Sequence, residues 1–190
     1  MKQRELREQR DRVTEEWYEA IKKFEPVEGA DYSWIWDYAR YRFEWAFEKT
    51  RYVEEKSHSL LKVVLAISAG SWAVFSVLLT SNRPMGLYSA FFAISALVCL
   101  VASGYFCLQA ASPSDHIYPR GEDKAIQYAN VYKSGDAARG RFALIFGDSS
   151  EQERFVTYEK GMLVNKGALL AFAAVIAFSL SLLAQLFRLH

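Results

Sequence analysis

The sequence predicts an all-α integral membrane protein with three transmembrane helices, whose long helices extend into a cytoplasmic helical layer. Three observations carry this. Residues 63–80 and 85–110 form two runs without Asp, Glu, Lys or Arg, separated by the short stretch Ser81-Asn82-Arg83-Pro84. Residues 167–187 form a third run free of charge. A row of residues at helical spacing, uninterrupted by Gly or Pro, leads into the first run from Tyr32. As a helix the shortest run measures about 27 Å, close to the roughly 30 Å hydrocarbon core of a bilayer. In lipid only a helix or a closed barrel satisfies its own backbone groups, so the first two runs read as a transmembrane hairpin.

The average composition conceals this pattern. Mean hydropathy is only -0.04 and 24% of residues are charged, because uncharged runs alternate with highly charged segments. A net charge of +1 offers no basic excess for nucleic acid. Cys99 and Cys107 lie eight positions apart in the second run, two helical turns or roughly 12 Å, too far for a disulfide.

Taken in order, residues 1–30 read as a charged N-terminal helix and linker. A thin apolar stripe, Leu6, Val13, Trp17 and Ile21, marks the helix, and Pro26 and Gly29 mark its end. Its start is charged and lacks an apolar core, so insertion is expected to rely on the internal runs. Residues 31–111 read as a cytoplasmic aromatic helix continuing into the hairpin. Asp31 resembles an N-cap, and the helical row runs Tyr32, Trp36, Ala39, Phe43, Ala46, Thr50, Val53, Ser57, Leu60, Val64. One long helix over 31–80 is therefore expected. Its many aromatics could dock at lipid headgroups or form a protein core. The second is favoured, because the row continues straight into the membrane run.

Residues 112–166 read as a cytoplasmic helical loop. Helical patterns over 122–133 and 136–146 precede an expected break at Gly147-Asp148-Ser149-Ser150. A further helix then carries Phe155, Tyr158, Met162 and Leu163 into the third transmembrane helix and a short outside tail, residues 167–190. Basic residues fix the orientation. They cluster before the first run and between the second and third, whereas the hairpin turn has only Arg83 and the tail only Arg188. The N-terminus is thus expected inside and the C-terminus outside.

Small residues govern helix association in lipid. The candidate ridges are Ala66 with Gly70 and Ala69 with Ala73 in the first run, and Cys99, Ser103 and Cys107 in the second. The third carries Ala173, Ala177, Ser181 and Gln185 at strict four-residue intervals. A homo-oligomer is expected, since three spans leave a ridge facing lipid. Lys56, Lys62, Asn165 and Lys166 mark the membrane border; snorkelling lysines account for the similar sequences there, around Glu54-Glu55-Lys56 and Glu159-Lys160. Arg120, Lys124, Arg139 and Arg141 offer a contact for an anionic ligand or for lipid headgroups. His58, His116 and His190 occupy separate contexts, so no shared metal site is expected, and no cofactor motif or catalytic constellation is visible. The chain reads as a non-enzyme.

A cytoplasmic helix leading into a two-span hairpin, with Asn165-Lys166-Gly167-Ala168-Leu169-Leu170 opening a further span, resembles small membrane effectors of bacterial antiphage defence. The SLATT-type and cyclic-nucleotide-activated transmembrane effectors are the nearest families; they typically have two spans, and the third departs from their pattern. The resemblance implies an oligomer that stays inert until a cytoplasmic protein partner or nucleotide signal rearranges it, and that then perturbs or opens the inner membrane. In that scheme Trp36, Phe43 and Val53 form the cytoplasmic seam of the levering helices, and the Ala173, Ala177, Ser181, Gln185 ridge lines helix contacts or a pore. The alternative is a non-conducting membrane anchor or scaffold that recruits a soluble partner.

Overall fold

The computed structural model describes residues 3–27, 29–80, 86–112 and 135–187. Among them the chain is all-helical: α1 (Gln3–Lys22), α2 (Ser33–Thr80), α3 (Leu87–Ala111) and α4 (Gly135–Leu186). The hairpin turn, the helical pattern over 122–133, and Arg120, Lys124, His116, Arg188 and His190 lie outside the described residues. Three helices, α2, α3 and α4, are long and apolar enough to cross a membrane.

The expected helix over 31–80 is α2. Its start is set by Asp31, whose Oδ1 accepts the Ser33 N–H at 2.8 Å, filling one of the open donors of the first turn. Hydrogen bonding from the Ser33 side chain, and then from its backbone N–H, holds the exposed Asp31 carboxyl below its ordinary value, with a smaller contribution from Arg139. Its stabilising effect is therefore present above the ordinary Asp value and is lost as pH falls through the lowered native one. Before α2, Gly29 takes φ 78, a left-handed conformation that suits glycine and turns the chain.

The break expected at Gly147-Asp148-Ser149-Ser150 does not occur, and α4 continues through it. Gly147 is there for space rather than for a turn. A Cβ on it would lie 2.6 Å from the Trp17 ring, so only glycine lets α1 lie this close to α4. Ser149 and Ser150 are buried, and Ser150 Oγ donates to the Gly147 carbonyl within the helix.

The described residues fall into two compact units. One is drawn from Met1–Tyr52 and Pro113–Glu159, the other from Val53–Ser112 and Lys160–His190. In the first, α2 buries Ala39, Phe43, Ala46 and Thr50, all members of the row read from the sequence. Phe43 and Trp36 meet Phe146 of α4 edge to face, at 5.3 and 5.0 Å between ring centres. Gly140 lets Phe24 and Tyr32 approach α4 as Gly147 admits Trp17.

In the second unit α3 buries Ser89, Ala93, Ala96, Leu100, Ser103, Cys107 and Ala110. The spacing alternates four and three, the period that keeps one seam against its neighbours. Opposite stand Ser57 and Val64 of α2 and Ala171, Ala174, Ser181 and Ala184 of α4. Val64, Leu100, Ala171 and Ala174 form its apolar core. Small side chains bring the backbones close, and van der Waals contact supplies the attraction.

Candidate functional site: a serine ladder, a charged latch and a cleft

Four buried serines, Ser57, Ser89, Ser103 and Ser181, punctuate the apolar interior of the second unit. Ser57 Oγ donates to the Cys107 carbonyl at 2.7 Å, joining α2 to α3. Ser103 Oγ donates to the Gly167 carbonyl at 2.7 Å, joining α3 to α4. Farther along, Ser89 and Ser181 each donate to the other's carbonyl, at 3.0 and 2.7 Å. Each rung is worth roughly 0.6 kcal/mol in a membrane setting. Gly167 allows one close approach: a Cβ there would stand 2.9 Å from Cys107 Sγ.

At one end of the ladder sits a charged latch. Lys160 of α4 is 7% exposed. Its ammonium pairs with Glu54 of α2 and donates to the Ser112 carbonyl at 2.6 Å. That carbonyl belongs to the end of α3, where the last carbonyls lack helical partners and the dipole favours a cation. One lysine in the middle of α4 thus ties the middle of α2 to the end of α3. The snorkelling assigned to this border does not describe Lys160, which is buried and paired; Lys56, Lys62, Asn165 and Lys166 are the exposed residues there. Lys166 also lies 5.8 Å from the Phe106 ring centre.

The proposed ridge of α4 divides. Ser181 is buried against Ser89, and Gln185 Oε1 accepts the Gly86 N–H at 3.4 Å. Ala177 is half-buried and Ala173 faces outward. Ala66, Ala69, Gly70 and Ala73 of α2 are exposed as well, so neither of their pairs packs within the chain. Ser103 and Cys107 are buried and Cys99 is half-buried, and both cysteines are free thiols.

In the first unit Trp36 and Phe43 are internal; Val53, half-buried, belongs to the second. Thr50, fully buried, donates to the Glu153 carboxylate at 2.9 Å and lies 2.6 Å from the Thr157 hydroxyl. Arg42 and Arg154 both bind Glu151, at 2.7 and 2.8 Å. A cleft of about 580 Å³ opens beside them, lined in part by Leu6, Val13, Trp45, Lys49, Arg154 and Tyr158. That volume suits a small ligand or a partner's side chains. The basic patch does not assemble from its described members. Arg139 is exposed and paired with Asp136, and Arg141 is half-buried two positions on, around the helix.

Burial pushes the Asp148 carboxyl above its ordinary value, opposed by two 3.0 Å bonds from Gln152 Nε2. The folded chain thus holds this proton to higher pH than the unfolded chain. The associated stability is full below the ordinary Asp value and is lost as pH rises through the raised native one. Asp148→Asn keeps an acceptor for Gln152 and removes the charge. It is expected to raise the melting temperature at pH 7 and to leave it unchanged at the acid end, read by thermal unfolding across pH. A uniform shift at all pH values would refute this.

Among the described residues no group of three or more His, Cys, Asp or Glu side chains converges as a metal site. Compared with known protein families, with curated proteins and with solved structures, the chain matches none.

Proposed function

We propose that this protein is a membrane-integral, homo-oligomeric effector that perturbs or opens a channel in the bacterial inner membrane when a cytoplasmic partner or nucleotide signal engages it. One observation carries the membrane part of this reading: the second unit turns its apolar residues outward. Its most apolar windows are only 6%, 22% and 28% buried, and its interior is narrow, made of small apolar residues and four buried serines. Leu65, Trp72, Val101, Leu169 and Phe172 are each at least 60% exposed. A surface of that kind calls for lipid rather than water as solvent.

The basic residues before the first apolar run and between the second and third support an orientation with the N-terminus inside and the C-terminus outside. The cleft of the first unit is where a signal would be received, and the latch is the contact whose release would let the spans rearrange. The scheme needs no catalytic residue. The cleft also favours the second reading, a non-conducting anchor that holds a soluble partner.

Expression in bacteria with a membrane-potential dye separates the two. The effector is expected to collapse the potential and, after purification, to release ions from liposomes. Full-level membrane insertion with no dye loss and no leak on engagement of the cytoplasmic unit would favour the anchor.

A further inference from the structure

The aromatic residues of α2 divide between two faces. Trp36 and Phe43 point into the first unit, but Trp34, Tyr38, Tyr41, Trp45 and Tyr52 are 67%, 58%, 65%, 47% and 52% exposed. At about 100° per residue these five fall on one strip roughly 60° wide, opposite the buried Ala39, Phe43, Ala46 and Thr50. Their spacing of four, three, four and seven is that of a heptad seam. Tyr38, Trp45 and Tyr52 occupy one core row; Trp34 and Tyr41 occupy the other, which Glu48 continues. Trp45 and Lys49 also border the cleft, so the strip and the cleft adjoin.

The charges beside the strip are ordered. Asp37 and Glu44 line one edge, Arg42 and Lys49 the other. In a parallel helix pair, a residue on the first edge faces the residue five positions later on the second edge of its neighbour. Asp37 then meets Arg42, which also holds Glu151 of its own chain, and Glu44, already bonded to Arg40 in its own helix, meets Lys49, twice each by symmetry. An antiparallel pair would set acid against acid and base against base. The following parallel pair, Arg51 with Lys56, is of like sign and ends the complementary stretch.

Five aromatic side chains about half exposed, each able to bury roughly 150–250 Å², supply about 500 Å² per copy. The pair reaches about 1,000 Å², where specific interfaces begin. Copies inserted the same way in one bilayer necessarily hold α2 parallel, a step that rests on the membrane reading above.

We propose that this aromatic strip is the interface between parallel α2 helices of two copies of the chain. It defines a homotypic seam outside the apolar part of α2, with orientation set by the Asp37–Arg42 and Glu44–Lys49 pairs.

Disulfide trapping in native membranes tests this on the full chain, with Cys99→Ala and the fully buried Cys107 left in place. Glu48→Cys, in the centre of the seam, is expected to cross-link most of the protein into dimers on oxidation. Arg40→Cys, exposed on another face, is expected to cross-link severalfold less. Adding Glu44→Lys or Lys49→Glu singly to Glu48→Cys should lower the yield severalfold, and adding both should restore it. Equal trapping at positions 48 and 40, or no rescue by the double reversal, overturns the seam. Particle mass in detergent separates the failures. An oligomer that fails to trap sinks only this surface, and lipid or another protein then covers the strip. A single-chain mass sinks the homo-oligomer along with it.

Discussion

Lys160→Met is expected to cost the fold about 3–5 kcal/mol, because it takes the ammonium away from the Glu54 carboxylate in a place largely closed to water. The side chains of Lys160 and Glu54 are only 9% and 19% exposed, so solvent does little to replace the lost charge. The same change removes the donor from the Ser112 carbonyl at the end of α3. For a chain of this length the melting temperature in detergent should fall by roughly 10 °C. Replacing both partners, Lys160→Met with Glu54→Leu, should be far milder and could stabilise by about 1–4 kcal/mol, since two desolvated charges are removed together. The ordering of single and double variants is the decisive readout. If the single variant is no worse than the double, water reaches the pair and the latch is not a structural lock. Under the effector reading the single variant has a second phenotype: it should depolarise cells without a signal, its spans no longer held by the charge.

The parts of the fold that were legible from sequence were those in which one periodic row faces one core. The row from Tyr32 to Val64 is two such cases in succession, Tyr32 to Thr50 in the first unit and Val53 to Val64 in the second; each of its members is buried or half-buried. The ridge Ala173, Ala177, Ser181, Gln185 was a weaker guide for a geometric reason. Steps of four advance about 40° around a helix each time, so three steps carry the row about 120° away from any straight partner. The stripe that packs, Gly167, Ala171, Ala174, Ser181 and Ala184, steps by four, three, seven and three and stays in line. Gly147 to Ser150 misled because glycine, aspartate and serine are turn formers in isolation. Inside α4 they are small residues facing Trp17 and the core, which only tertiary contact reveals. The two fates of the α2 aromatics were hidden for a related reason. Rings on both faces give no amphipathic contrast, and burial alone distinguishes Trp36 and Phe43 from Trp34 and Tyr41. Lys160 looked like any border lysine until its partner, more than a hundred positions away, was in place.

Two glycine-to-alanine changes in α4 are expected to have opposite signs. Alanine is favoured over glycine in a helix interior by about 1 kcal/mol, so propensity alone makes either change stabilising. At Gly161 nothing lies within 4 Å of the added Cβ, and the gain should appear nearly whole. At Gly147 the new methyl would meet Trp17 at 2.6 and 2.9 Å, closer than carbon atoms can stand. The indole is rigid and belongs to α1, so relief means moving that helix rather than swinging a flexible tip. Overpacking of this kind costs about 1–3 kcal/mol, enough to reverse the propensity gain. Gly147→Ala should therefore lower the melting temperature and expose α1 to protease, while Gly161→Ala raises the melting temperature. Unchanged protease resistance and an unshifted tryptophan emission in Gly147→Ala would mean that α1 does not rest on α4 through Trp17. A loss at Gly161, where the single chain leaves open space, would instead show that another copy lies against that face.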